Sequence, residues 1–398
     1  MRLIMTKDIN LSYSDNIPAA HSNNKSFVAT NLQSEKSSKT EIIGDNNNCK
    51  KKQYEKDCRE FAKKYGFLKK RRLVSNEDFE SLGIIYANVR EIFREPRLNF
   101  FTIHDDKHSI RMLDNLLKLF PSLFSEKHPN KLNEKEVFCL IASIFLHDIG
   151  VQLYGDSFLD EYCKKKCNRS KLDNKTYFLK SHHYKLSSAW IIDSARKEDK
   201  IKPRSYVGNE ALATYVADIC FSHGVKKFES YKKYTKERKC GTISIRMGLL
   251  CTLLSLGDAL DCYSERVHEN TLKDKGLSDK DRILLMKYYY VTGVNIREGY
   301  LTLEFTFPNT LDASNRKVYE YYFWHNTRIW LSKHNQKRLQ FLLDSGINYD
   351  VFQDFHTDSI KDELTNKELC KIRNDSTQLI NSKIKKLHGL KQEMGLCD

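Results

Sequence analysis

The stretch "LNEKEVFCLIASIFLHDIG", residues 132 to 150, constrains the fold most. From Val137 to Leu146 only Ser143 is polar, and a helix that is apolar nearly all round must be surrounded by other elements. Asn133 is expected to open it as an N-cap and Gly150 to stop it. A buried stem that ends on an adjacent imidazole and carboxylate, His147 and Asp148, asks for a reason. A cationic His suits a helix C-terminus, but an Asp does not.

The rest of the chain supplies helices to surround that stem. Only six Pro and 16 Gly in 398 residues favour helix over a loop-rich or sandwich fold. "YEKDCREFAKKYGF", "NEDFESLGIIYANVREIF" and "DDKHSIRMLDNLLKLF" place apolar residues three or four apart. Asn76 and Asp105 or Asp106 are the expected caps of the last two. "HHYKLSSAWIIDSARK", "GNEALATYVADICFSHG" and the very apolar "TISIRMGLLCTLLSLGDALDCYSERV" continue the series. The period then changes: residues 288 to 307 alternate like a β-hairpin with a tight turn at Arg297, Glu298 and Gly299.

The expected architecture is therefore mainly α, a helical bundle with an appended β-hairpin and C-terminal helices. Residues 1–50, rich in Asn, Ser and Lys, are expected to be disordered or weakly ordered. Residues 51–286 form the helical domain, 287–309 the hairpin, and 310–398 a helical region packing on the core. The aromatic stripe "EYYFWHNTRIW" in that last region is expected to be packing.

Eleven scattered Cys, several inside apolar helical patterns, suit a reducing, cytoplasmic setting. Cys163 and Cys167 have no second pair at ligand spacing, so a zinc site is not expected there. No run of 18 apolar residues occurs, and the apolar part of "MRLIMTKDINLSYS" is short for a signal peptide, so no membrane span is expected. The charge of +15 points to an anionic partner such as a nucleotide, nucleic acid or acidic surface. The run Lys69 to Arg72, "KKRR", resembles a nuclear localisation run but is expected to be a solvated helix end.

Along these helices stand His108, His147, Asp148, His183, His223 and Asp258, separated by steps of 39, 36, 40 and 35 residues. A helical hairpin takes roughly that many residues, so successive candidates can return to one point in a bundle. Imidazoles and carboxylates are borderline and hard ligands, suited to one or two divalent ions: manganese, iron, zinc, nickel or magnesium. Such an ion lowers the pKa of water and polarises a phosphoryl oxygen.

The ordered pattern His, then His-Asp, then two His, then Asp resembles that of the HD-domain metal-dependent phosphohydrolase superfamily. "FTIHDDKHSIRML" looks like its first-ligand segment, "FLHDIG" like its naming motif and "SLGDALDCYSERV" like its closing aspartate segment. The chain is closest in flavour to HD domains found with Hsp90-like ATPases. The HD-GYP phosphodiesterases, by contrast, typically carry Lys where Val151 stands.

The resemblance implies a helical fold and metal ligation by His108, His147, Asp148 and Asp258, with His183 and His223 completing a second position. It favours His183 over His182 as ligand, leaving His182 as a general-acid candidate or phosphate contact. It puts Asp258 on the metal, with Asp261 supporting the ligands or pairing with Arg266. His104, four residues before His108, is a further candidate to touch substrate or water. Arg111, Lys180 and Arg266, with Lys185 and Arg246, are the nearby phosphate donors. The expected function is hydrolysis of a phosphoester or phosphoanhydride, of a nucleotide for preference, through metal-bound hydroxide. Two rivals stay open: a catalytically silent nucleotide- or partner-binding module, and a nuclease or nucleic-acid-binding protein suggested by the charge.

Overall fold

In the computed structural model the apolar stretch becomes α5, Glu134–Leu146, and it lies at the centre of the core. The structure describes residues 42–94, 105–153, 158–160, 162, 175–196, 207, 209–225, 228–267, 271, 285, 288, 291–297, 300–305 and 336–346. The chain parts into two units at Cys49/Lys50, and the hydrophobic core belongs to the second. His104, Cys163, Cys167, the aromatic stripe at 320–330 and the C-terminal tail beyond 346 lie outside the described residues, as does the side chain of Lys180.

The elements run α1 (Ile42–Tyr65), α2 (Phe67–Lys70), α3 (Asn76–Arg94), α4 (Asp106–Leu119) and α5, followed by a 3-10 turn at Ile149–Leu153. Then come α6 (Lys175–Arg196), α7 (Glu210–His223), α8 (Phe228–Lys232) and α9 (Met247–Leu260), with a 3-10 turn at Ser264–Arg266. α10 (Gln336–Asp344) packs on α9. The fold is mainly α, as the periodicity implies. α1 begins at Ile42, ahead of the 51 boundary, because a helix nucleated by the amphipathic 53–65 stretch extends backwards at small cost.

Two antiparallel hairpins accompany the helices. One pairs β3 (Val291–Arg297) with β4 (Tyr300–Phe305) in the expected place, Arg297 opposite Tyr300. The other, β1 (Arg238–Cys240) with β2 (Ile243–Ile245), was not anticipated. It turns at Gly241, whose φ of 61° favours a residue without a Cβ. The segment read as one long apolar helix from Thr242 is therefore a short strand followed by α9.

The caps agree with expectation at Asn133, whose side chain and that of Glu136 form a reciprocal capping box, and at Asp105, which accepts from the His108 N–H at 2.9 Å. α3 differs: Ser75, not Asn76, caps it, its Oγ accepting from the Asp78 N–H at 3.1 Å. Gly150 also differs. α5 ends at Leu146, and Gly150 sits inside the following 3-10 turn. What it provides is close approach, since a Cβ there would stand 2.2 Å from the His183 carbonyl oxygen and 2.9 Å from the Ser187 nitrogen. The Gly150 N–H donates to Ser187 Oγ at 2.9 Å, locking this turn against α6.

α5 and α9 start from one clamp and finish at one place. Glu136, fully buried, accepts from Arg246 Nε at 2.8 Å, Nη2 at 2.6 Å and the backbone N–H at 2.8 Å. From there to His147 and to Asp258 are eleven and twelve residues, roughly 16 and 18 Å of helix. Two helices held at one end thus deliver their ligand candidates to the same depth. Glu134–Leu153 is apolar and long enough to cross a membrane by composition, but every residue from Glu136 to Leu153 is buried within the protein.

Candidate metal centre

The six candidates from the pattern meet. His108 lies in the first turn of α4, His147 and Asp148 follow α5, His183 is midway along α6, His223 ends α7, and Asp258 is in the last turn of α9. His108 Nε2 stands 3.3 Å from His147 Nε2, 3.4 Å from Asp258 Oδ1 and 3.6 Å from Asp148 Oδ2. His183 and His223 meet through their Nε2 atoms at 3.1 Å. Asp148 lies between the pairs: Oδ2 is 3.0 Å from His147, while Oδ1 is 3.5 Å from His183 and 3.6 Å from His223.

These separations fit ligands around an ion. Donor atoms at metal–ligand distances of about 2.0–2.2 Å stand roughly 2.8–3.6 Å apart around a tetrahedral or octahedral centre. Two trios, His108/His147/Asp258 and His147/Asp148/His223, have all their donor atoms within 4.8 Å of one another.

The tautomers agree with the distances. The Nδ1 of His147 faces the Ile144 carbonyl at 2.9 Å, and that of His223 the Cys220 carbonyl at 2.5 Å. A carbonyl only accepts, so Nδ1 carries the proton and a neutral ring turns its Nε2 lone pair inward. Both rings use the same local device, an unpaired carbonyl in the last turn of their own helix. Lone pairs facing one another repel, and a cation between them removes the repulsion.

The carboxylates of Asp148, Asp258 and Asp261 share the site with the guanidiniums of Arg111 and Arg266. Burial alone would raise the Asp258 and Asp261 carboxyls, but His108 and the arginines outweigh it and hold both well below the usual carboxylate range. Burial and Arg266 press the His108 ring down, yet Asp261 and Asp258 lift it to about 9 in the metal-free chain. Burial dominates at His147 and lowers it. At His223 burial opposes protonation, but the Asp148 carboxylate prevails and raises it.

Other expected residues have different surroundings. Arg111 gives Nε to Asp261 Oδ1 at 2.6 Å and Nη2 to Oδ2 at 3.0 Å, so it is committed to a carboxylate. Arg246 belongs to the Glu136 clamp. Arg266 is buried, 3.9 Å from Asp258 Oδ1 and over the Tyr288 ring, with its Nε 3.6 Å from Asp261 Oδ2. His182 stacks on Phe178 with ring centroids 4.5 Å apart and turns Nδ1 to the Ser181 hydroxyl at 2.8 Å. Glu136 and Ser187 were not singled out, although the Asn133-x-x-Glu136 spacing is a capping-box signal.

A family model described as HD-CE matches residues 96–340, more than half of the 398. Neither the comparison with curated proteins nor that with solved structures returns a match.

Proposed function

The chain belongs to the HD-CE family, and on that premise we propose a divalent-metal-dependent phosphohydrolase acting on a nucleotide or related small phosphorylated molecule. The observation that carries this reading is the convergence of four imidazole Nε2 atoms on the two oxygens of Asp148. His108, His147 and Asp258 would hold one ion and His183 and His223 a second, with Asp148 shared between them. Manganese, iron, zinc, nickel and magnesium all suit such donors. A divalent ion there lowers the pKa of water toward neutrality and polarises a phosphoryl oxygen.

The chain's own residues supply positioning and access. The Ile144 and Cys220 carbonyls hold two imidazoles in the tautomer that presents Nε2. His108, His147 and Asp148 are buried, whereas the side chains of His183 and Asp258 stay 22% and 28% exposed, so substrate enters from their side. Arg266, with Nη1 3.9 Å from Asp258 Oδ1, is a cation suited to a phosphoryl oxygen. All six described free cysteines are consistent with a reducing, cytoplasmic setting.

The test is metal analysis of the purified protein with a hydrolysis panel of nucleotides and generic phosphoesters, and Asp148→Ala as control. Bound metal and turnover that both vanish in the control are expected. No metal under any loading condition overturns the reading, and metal without turnover favours the silent nucleotide- or partner-binding module. Cleavage confined to single-stranded DNA or RNA would move the substrate to nucleic acid, the variant that the +15 charge favours.

A further inference from the structure

His108 differs from His147 and His223 in how it is held. His147 and His223 lie at or beyond helix C-termini, where unpaired carbonyls accept their Nδ1 protons. His108 sits in the first turn of α4, and the unpaired backbone groups there are N–H donors, one of which Asp105 already caps. An acceptor for the His108 Nδ1 comes from 153 residues away: Asp261 Oδ2, at 2.5 Å.

Asp261 is itself fixed. It is fully buried, and Arg111 grips both its oxygens in a bidentate pair, with the Tyr263 ring 5.3 Å below the guanidinium. Asp261 also lies off the metal side. Its Oδ2 meets Nδ1 of His108, whereas Asp258 Oδ1 stands 3.4 Å from Nε2 on the opposite edge of the ring.

We propose that Asp261 and Arg111 are positioning residues that act through His108: Asp261 fixes its tautomer and strengthens its Nε2 as a metal donor, and Arg111 holds Asp261 in place. The inference rests on the metal reading above. A carboxylate behind a metal-binding imidazole raises its basicity more than a carbonyl does, and removing such partners typically costs about 10–100-fold in metal affinity. The His108 trio therefore depends on this partner. Arg111, a substrate contact by sequence proximity, becomes part of the scaffold.

Mn2+ titration of the metal-free full-length protein tests this, with wild type, Asp261→Asn, Arg111→Met and the double variant compared. Circular dichroism confirms folding of each. Asp261→Asn should weaken Mn2+ binding at least tenfold and Arg111→Met less, and the double variant should be no worse than Asp261→Asn, because both act by one route. A downfield proton resonance from His108 Nδ1–H should appear in the metal-free wild type and vanish in Asp261→Asn. It remains readable in Arg111→Met should Asp261→Asn fail to fold, and there it should shift. Wild-type affinity in Asp261→Asn, additive losses in the double variant, or an unshifted resonance in Arg111→Met overturns the inference alone. Should the wild type bind no Mn2+, the same series is titrated with Zn2+, Fe2+, Ni2+ and Mg2+, and a wild type that binds none of them refutes the metal reading itself.

Discussion

Gly150→Ala sets two effects of opposite sign against each other. The φ of Gly150 is not in the left-handed region, so replacement by Ala would ordinarily stabilise by about 0.4–1 kcal/mol through the unfolded chain. Here the new Cβ would lie 2.2 Å from the His183 carbonyl oxygen and 2.9 Å from the Ser187 nitrogen. Ordinary contact begins at 3.4 Å, so 3.4 − 2.2 = 1.2 Å must be found. Both obstacles are α6 backbone, which has no rotamer to change. Overpacking of this kind costs about 1–3 kcal/mol, so the steric effect wins. The net loss is about 1–2 kcal/mol, a fall in Tm of roughly 2–8 °C for a domain of this size.

The shift should also be selective. Moving α6 carries His183 away from His223, now 3.1 Å distant, and from Asp148, at 3.5 Å, while His108, His147 and Asp258 sit on other helices. Gly150→Ala should therefore lose one ion and retain the other, read by metal stoichiometry beside a thermal melt. A variant at least as stable as wild type, with unchanged stoichiometry, would refute the argument that backbone contact makes glycine necessary here.

Glu136→Ala removes the clamp between α5 and α9, but Arg246 is 32% exposed and keeps the Asn130 and Lys131 carbonyls, so urea unfolding should register a loss of about 1–3 kcal/mol; an unchanged midpoint would show the clamp to be dispensable. Arg90→Ala breaks the chain from buried Asp57 (3.2 Å) through Arg90 to Asp106 (2.8 Å) at the start of α4. Because Arg94 still pairs with Asp57, the cost by denaturation should be about 1–3 kcal/mol, and an unchanged midpoint would count against it. For pH, the folded metal-free His108 is raised from 6.5 to about 9. Its contribution is then fully present below 6.5 and lost as pH rises through about 9. Melts of chelated protein should show that decline, and His108→Gln should flatten it.

Much of the fold was legible because its signals are local. Apolar residues three or four apart marked the helices, Asn133 and Asp105 marked two starts, and alternation marked the β3–β4 hairpin. The six candidate ligands stood out by type and by their regular return. The β1–β2 hairpin was missed because strands of three residues are too short to establish a period. Ser75 displaced Asn76 as a cap by one residue, a choice made by side-chain geometry.

The sequence by itself determined that this chain is a helical bundle with a buried stem ending in His147 and Asp148. Local pattern carries that information. Tertiary structure alone decided what the polar residues near the centre do. Asp258 and Asp261, three apart and alike by periodicity, separate because they meet opposite nitrogens of His108, Nε2 and Nδ1. Arg111 and Arg246 turn to carboxylates 150 and 110 residues away, and Gly150 answers to a helix that starts 25 residues later. Pairings across such distances depend on how helices pack, and no short window of sequence contains them.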